Sequence, residues 1–396
     1  MSPNWRLACG WITLFIVGTD LFVISPLLPA ISAEFRLSPT AAGLSVTVFS
    51  GIYLLSAPAI GQAADRLGRR RVLLCCLFGF AAANLLTGLV TGFMLLLIAR
   101  FCAGAATAGV SPLIYAGVGD AAPPARRATW MGIAVSGLLL ALSVGAPIGT
   151  ILASHWGWRM PFFVMAALSL VLIGANRVVW PADARGRAGA AIALPALGVT
   201  AAAVRLAPTV LWATALYAAY TYLGVWLMGA GLSSTKVAWA IGFYGAGALA
   251  GTLLGGHMAD RFGVEAAKIA SLAGLGGCLF VLAVGVGTGW GAVLVLLVLS
   301  VFAQLFFPAQ QAGLARAFPE RRALILALNN SALFLGISGG SLIGGEAMTL
   351  AGFGLDAGIG AAIAGVGLVV VVVTRHAGIG KSAPRGSGGV GAGDPR

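Results

Sequence analysis

Charge is what this sequence has least of. Asp, Glu, Lys and Arg make up 9% of its 396 residues, where a soluble globular domain carries about 25%. Acids are scarcer still, 11 against 24 Lys and Arg, and 59% of the chain is hydrophobic. A surface so poor in charge excludes a water-soluble globule. Histidine is almost missing: His155, His257 and His376 stand far apart, with no His-Glu-x-x-His or other ligand spacing. No Gly-x-x-x-x-Gly-Lys-Ser/Thr stretch exists to cradle a nucleotide phosphate. No enzyme activity, cofactor or metal is therefore expected, nor ATP-driven work by this chain. The five cysteines (Cys9, Cys75, Cys76, Cys102 and Cys278) all fall in apolar segments. They read as small buried hydrophobes rather than a disulfide framework.

What is abundant is long apolar runs. A membrane-spanning helix needs about 20 mostly apolar residues, and twelve such segments can be placed. They run near 9–31, 41–64, 72–90, 93–117, 127–152, 161–180, 208–230, 237–259, 266–287, 290–315, 323–350 and 355–374. The expected fold class is an all-α membrane protein of twelve transmembrane helices. The first segment is too long for a cleaved signal peptide and carries Asp20, Pro26 and Pro29. An even number of crossings puts both termini on one side. That side holds 20 of the 24 Lys and Arg; the opposite loops hold Arg36, Arg159 and Lys236, and Arg100 lies within a segment. The positive-inside rule makes both termini cytoplasmic. It also accounts for the net charge of +13 without a nucleic-acid partner. Residues 1–180 and 208–376 form two six-helix halves, 181–207 a cytoplasmic linker, and 377–396 a Gly- and Ser-rich tail expected to be disordered.

The densest charges lie between the second and third segments, in Gly61-Gln-Ala-Ala-Asp65-Arg66-Leu-Gly68-Arg69-Arg70-Arg71. Charges this close together in so apolar a chain must sit outside the hydrocarbon. A weaker copy, Gly256 to Gly263, keeps Gly, Ala, Asp, Arg and Gly at an offset of 195 residues. Gly145 and Gly149 meet Gly340 and Gly344 at the same offset. A repeat of half the chain length means two homologous halves.

The spacing Gly-x-x-x-Asp-Arg-x-Gly-Arg-Arg resembles the loop between helices 2 and 3 of the major facilitator superfamily. The resemblance covers residues 9 to about 374 and implies two pseudo-repeat halves rocking about a central cavity. It implies that Asp65 faces the start of helix 11, near Ala323. It also implies that Arg69 meets Asp120, so that Gly61, Asp65, Arg66, Gly68, Arg69, Arg70 and Asp120 form a lock on the cytoplasmic side.

Asp20 lies about twelve residues into the first segment, near mid-membrane. An acid there costs about 2.5–3.5 kcal/mol on insertion scales and marks a functional site by default. Its surroundings, Gly18-Thr-Asp20-Leu-Phe-Val-Ile-Ser-Pro26, resemble helix 1 of the twelve-helix drug:proton antiporter group, in which an acid here couples efflux to proton entry. Arg100 opens Arg-Phe-Cys-Ala-Gly, which resembles the Arg-x-x-x-Gly motif of helix 4; a buried guanidinium must be paired or reach a cavity. Two plainer roles stand beside these. Asp20 can be a static partner of Arg100, and Arg100 can snorkel to the outer surface. Gly145-Ala-Pro147-Ile-Gly149 resembles the antiporter motif of helix 5, with Ala before Pro as a variant. The second half has Ala215 where the first has Asp20. Its candidates for substrate contact are Tyr217, Tyr220, Trp226, Gln304, Asn329 and Asn330, although interhelical hydrogen bonding would explain the same residues. Glu346 lies near the outer end of helix 11, and Trp156 to Arg159 read as an outer interfacial belt.

Taken together, these residues predict a monomeric, proton-coupled exporter of small organic molecules or drugs in the cell's inner membrane. A sugar or nucleoside exporter of the same fold is the alternative. A membrane-embedded receptor or enzyme would need a soluble domain or catalytic cluster that the sequence lacks.

Overall fold

A computed structural model describes residues 3–123, 127–181, 199–285, 290–318 and 322–376. Among these residues, twelve helices are long and apolar enough to cross a membrane. The first half comprises α1 (Pro3–Phe35), α2 (Pro39–Leu67), α3 (Arg69–Leu89), α4 (Phe93–Ala121), α5 (Arg127–Leu140, continued as Ala146–Trp156) and α6 (Met160–Val179). The second comprises α7 (Val199–Gly229), α8 (Ser234–Arg261), α9 (Val264–Val284), α10 (Trp290–Gln304, continued as Phe306–Ala317), α11 (Arg322–Ala351) and α12 (Phe353–His376). The Ala-rich run after Val199 is a good helix former, so α7 begins at Val199 instead of near residue 208. The rest of the linker, 182–198, and the tail, 377–396, lie outside the described residues.

The 195-residue repeat is written into the turns. Ser38 caps α2 by accepting a hydrogen bond from the Ala41 N–H at 3.2 Å; Ser233 does the same for α8. Gly68 and Gly263 both take φ above +90°, a backbone that a side chain would strain, and each lets one helix end and the next begin at once. Gly157 and Gly352, and Arg36 and Gly231, are further positive-φ pairs at the same offset. The helix contacts repeat too. Gly145 of α5 lies against Thr19 of α1, while Gly340 of α11 lies against Thr214 of α7.

Two helices are broken, and proline explains both. Pro147 offers no N–H and its ring crowds the carbonyl four residues back; α5 passes through a π turn at Ala141–Gly145 just before it. Pro308 likewise follows the break in α10 around Leu305. Carbonyls freed inside a membrane must find donors. Those of Phe302 and Ala303 accept from Ser271 Oγ at 2.6 and 3.2 Å, and Ala303 also accepts from Trp212 Nε1 at 2.8 Å.

Each half has its own apolar core, and the two cores meet along α1–α7, α2–α11 and α5–α8. The expected buried cysteines hold only in part. Cys9 and Cys76 are buried, whereas Cys75 and Cys102 are exposed on the outer, apolar surface of their helices.

Candidate functional site: a buried ion pair and the seam between the halves

Asp20 points into the first half, away from the seam. Arg100 Nη1 of α4 donates to Asp20 Oδ1 at 2.9 Å, with the two side chains 1% and 0% exposed. The Arg100 guanidinium also lies over the Phe49 ring of α2, 4.4 Å from its centroid. Gly104, one turn beyond Arg100, sits against the Phe49 backbone, and this close approach brings Phe49 under the guanidinium. Arg100 is therefore paired and does not snorkel. Asp20 Oδ2 and Arg100 Nε are buried without partners among the described residues. The pair is one hydrogen bond short at each member, which leaves room for rearrangement. Removing one partner of a buried ion pair costs about 3–5 kcal/mol because the other charge is stranded. In the second half the matching position, Ala215, is a buried apolar residue.

At the terminal face, Arg69 donates to Asp120 at 2.8 Å, with side chains 53% and 63% exposed. Arg70 reaches the carbonyls of Trp180 at 3.2 Å and Arg177 at 3.4 Å. Arg66 is exposed, and open space surrounds Gly61. A cavity of about 540 Å³ here is lined by Arg6, Arg69, Arg70, Asp120 and Trp180. In the second half Arg316 of α10 pairs with Asp260 of α8, the counterpart of Asp65, at 3.5 Å. The side chains of Asp65 and Ala323, the expected ends of the contact to α11, lie outside the described residues.

Hydrogen bonds across the seam lie on the side of the membrane away from the termini. Between α1 and α7, Ser25 Oγ donates to the Tyr220 and Thr221 carbonyls at 2.5 and 2.9 Å. Between α2 and α11, Thr40 Oγ1 donates to the Gly345 carbonyl at 2.6 Å, Ser341 Oγ to Gly43 at 3.0 Å and Ser338 Oγ to Thr47 at 3.2 Å. Tyr222 Oη of α7 donates to the Ser341 carbonyl at 2.7 Å and lies so close to Gly43 and Gly345 that neither position has room for a side chain. Between α5 and α8, Ser143 of the π turn packs on Gly245, and Pro147 on Gly242. Gly149 meets Val23 of α1, so the helix 5 motif spans both an intra-half contact and the seam. The series ends at mid-membrane, where Tyr53 stacks on Phe334 with centroids 3.5 Å apart and Asn330 Nδ2 donates to Tyr53 Oη at 3.5 Å. Among the described residues no hydrogen bond joins the halves nearer the terminal face. The seam is shut on the face opposite the termini.

The second-half candidates divide accordingly. Asn330 reaches the seam. Asn329 turns inward, accepting from Thr209 Oγ1 at 2.6 Å. Trp226 stacks on Phe353 of α12 with centroids 4.4 Å apart. Tyr220 is buried against Tyr217, Tyr244 and the Phe22 carbonyl. Gln304 is half-buried at the break in α10. The proposed belt is also divided: Trp156 is exposed, but Trp158 is buried and donates to Glu34 at 2.6 Å, beside the Arg159–Glu34 pair. Glu346 is exposed.

Two residues went unrecognised in the sequence. Tyr53 is one of many apolar-segment aromatics and carries no local signal. Asp356 stands at the start of the twelfth apolar segment, where an acid reads as interfacial. The structure instead buries it completely, so Asp20 is not the only acid taken out of water. No local signal marks it: open space surrounds Gly352 before it.

Twelve spanning helices in two equivalent halves, shut against each other on one face, define a membrane transport protein. The profile of the Major Facilitator Superfamily matches residues 10–233 and 210–393. The chain is 30% identical over 346 residues to the uncharacterised MFS-type transporter YceJ of Bacillus subtilis (strain 168), covering 84% of this chain and 86% of that one. It is 26% identical to YbcL of the same organism, an uncharacterised MFS-type transporter as well, over 87% of this chain and 89% of YbcL. Its fold is similar to that of a bacterial homologue of the human lysosomal transporter Spinster. In the inward-facing occupied form the TM-score is 0.77 at 16% identity, over 96% of this chain and 99% of that one. In the unoccupied form it is 0.73 at 18% identity, over 97% and 99%. The chain belongs to the Major Facilitator Superfamily: it is a multi-pass membrane transporter, not an enzyme.

Proposed function

We propose that the protein is a proton-coupled exporter of small organic molecules, of the drug:proton antiporter type, with both termini in the cytoplasm. The observation that carries this reading is the buried Asp20–Arg100 pair. An acid deep in a spanning helix is costly unless it works, and a lone ion pair with one unused oxygen can exchange its partner for a proton. In this reading the structure is the inward-open state, sealed on the outer face, with Asp20 discharged onto Arg100. When the halves rock, Arg100 moves off and Asp20 takes a proton from outside. Return to the present state hands that proton to the cytoplasm and frees the transporter to collect cargo. In the other state Asp65 would meet the start of α11 and hold the cytoplasmic face together, on a loop that the Arg69–Asp120 pair, within the first half and already formed here, keeps in place.

The test is transport by Asp20→Asn in proteoliposomes against candidate organic cations, drugs, sugars and nucleosides. Substrate binding and downhill exchange should persist, and uphill export driven by a proton gradient should be lost. Uphill export at the wild-type rate would make Asp20 structural and remove the basis for proton coupling through it.

A further inference from the structure

Asp356 has no role in the mechanism above, yet its burial is as complete as that of Asp20. It lies in the first turn of α12 and is 0% exposed, and neither carboxyl oxygen has a hydrogen-bond partner among the described residues. Its Oδ1 sits 2.9 Å from where a Cβ on Gly344 of α11 would be. Gly344 belongs to the stretch of α11 that closes the outer seam, since Ser341 binds Gly43 and Tyr222 and Gly345 binds Thr40. Asp356 therefore stands directly behind the gate.

Few groups around it can balance a charge. On α7 the titratable neighbour is Tyr222, held by the Ser341 carbonyl. On α11 it is Glu346, an exposed acid of the same sign. On α9, Glu265 and Lys268 pair with each other at the far end of the helix, which leaves Cys278. The α12 N-terminus favours negative charge through its dipole, but its N–H groups do not reach the carboxyl oxygens. A carboxylate without counter-ion or donor is among the costliest things to bury, and such a group neutralises instead. The closed gate thus accepts Asp356 only as the neutral acid.

We propose that Asp356 is a proton-binding site of the outer gate: its proton, taken from the outer solution, is a ligand of the sealed face, and its loss loosens α11 from α2 and α7. When the gate opens, water reaches the Gly344 turn and the carboxylate becomes tolerable there. A site loaded and unloaded from the same side moves no proton across the membrane. Its effect is to make external acid favour the inward-open state. By linkage, one proton bound to one state alone changes the ratio of closed to open gate by up to about tenfold per pH unit. The idea rests on the inside–outside assignment proposed above, but not on Asp20 as the coupling acid.

The test uses full-length protein with the native cysteines replaced and spin labels at Ser38 and Leu350, in liposomes without substrate. In wild type, raising the pH from 5 to 8 should increase the population in which these two positions are far apart. Asp356→Asn should stay closed throughout, with the pH response lost. Asp356→Leu, similar in size and apolar, serves the same purpose if the amide misfolds. Glu346→Gln should keep the wild-type response; a proton on Asp20 favours the outward-open state in the function proposed above, so its effect has the opposite sign and cannot mimic this one. A response unchanged in Asp356→Asn or Asp356→Leu would overturn the proposal. So would a response abolished by Glu346→Gln.

Discussion

Replacing Asp20 with Asn measures what kind of contact joins α1 to α4. The contact is a single 2.9 Å hydrogen bond between side chains 0% and 1% exposed, with a phenylalanine face on the other side of the guanidinium. Two magnitudes compete. If the pair is ionic, Asn strands Arg100 as an unpaired buried cation, and the cost is about 3–5 kcal/mol. If it is an ordinary polar contact, the scale is that of interhelical hydrogen bonds in membranes, about 0.6 kcal/mol on average and about 1.7 at most. The geometry selects the first, since among the described residues Arg100 makes no other hydrogen bond and its Nε is already unpaired. Denaturant titration in mixed micelles reads the difference through a double-mutant cycle of Asp20→Asn with Arg100→Gln. Asp20→Asn should cost about 3–5 kcal/mol; Arg100→Gln should cost less, since an unpaired Asp20 can take up a proton, and the two together should cost less than their sum, because the second removes the charge stranded by the first. Additive costs of about 1 kcal/mol each would refute the ionic pair and, with it, the discharged state assigned to Asp20.

Two further outcomes test the topology and the seam. Cysteines introduced at Ser154 and Lys236, after removal of the native ones, should be labelled from outside intact cells; labelling only from the cytoplasm would invert the assignment of faces. Gly43→Val places a side chain where Tyr222 Oη already lies, so the distance between labels at Ser38 and Leu350 should lengthen. Gly277→Val, with nothing within 4 Å of its Cβ position, should leave that distance unchanged; equal effects of the two would mean that Tyr222 is not part of the seal.

The architecture was legible because bilayer thickness and the cost of unpaired backbone leave few choices. Run length located the helices, and one repeated motif set the offset of 195 residues that Ser38 and Ser233, Gly68 and Gly263, and Gly157 and Gly352 then follow. Arg69 and Asp120 were legible as a pair through the family motif, and they meet at 2.8 Å. What could not be read was direction around a helix axis. The helices are apolar on every side, so no polar stripe distinguishes core from seam or lipid. Asn329 and Asn330 are adjacent in sequence, yet one faces the core of its half and the other the seam. For the same reason Cys75 is exposed and Cys76 buried.

The repeat also isolates what is not shared. Two halves with the same turns and the same helix contacts should carry the same side chains wherever packing alone decides. Gly145 and Gly340, each pressed on helix 1 or 7 of its own half, obey that rule. Asp20 breaks it, standing opposite Ala215, and so does Asp356, whose counterpart in the first half is Pro161, the second residue of α6. Neither acid can be a requirement of the fold, because the other half builds the same fold without it. Among the described residues each half thus holds one fully buried acid that the other lacks, one midway along α1 and one at the outer end of α12. Arg100, opposite Val295, breaks the repeat together with its partner Asp20, and chemistry that differs between the two sides of a membrane needs such an asymmetry.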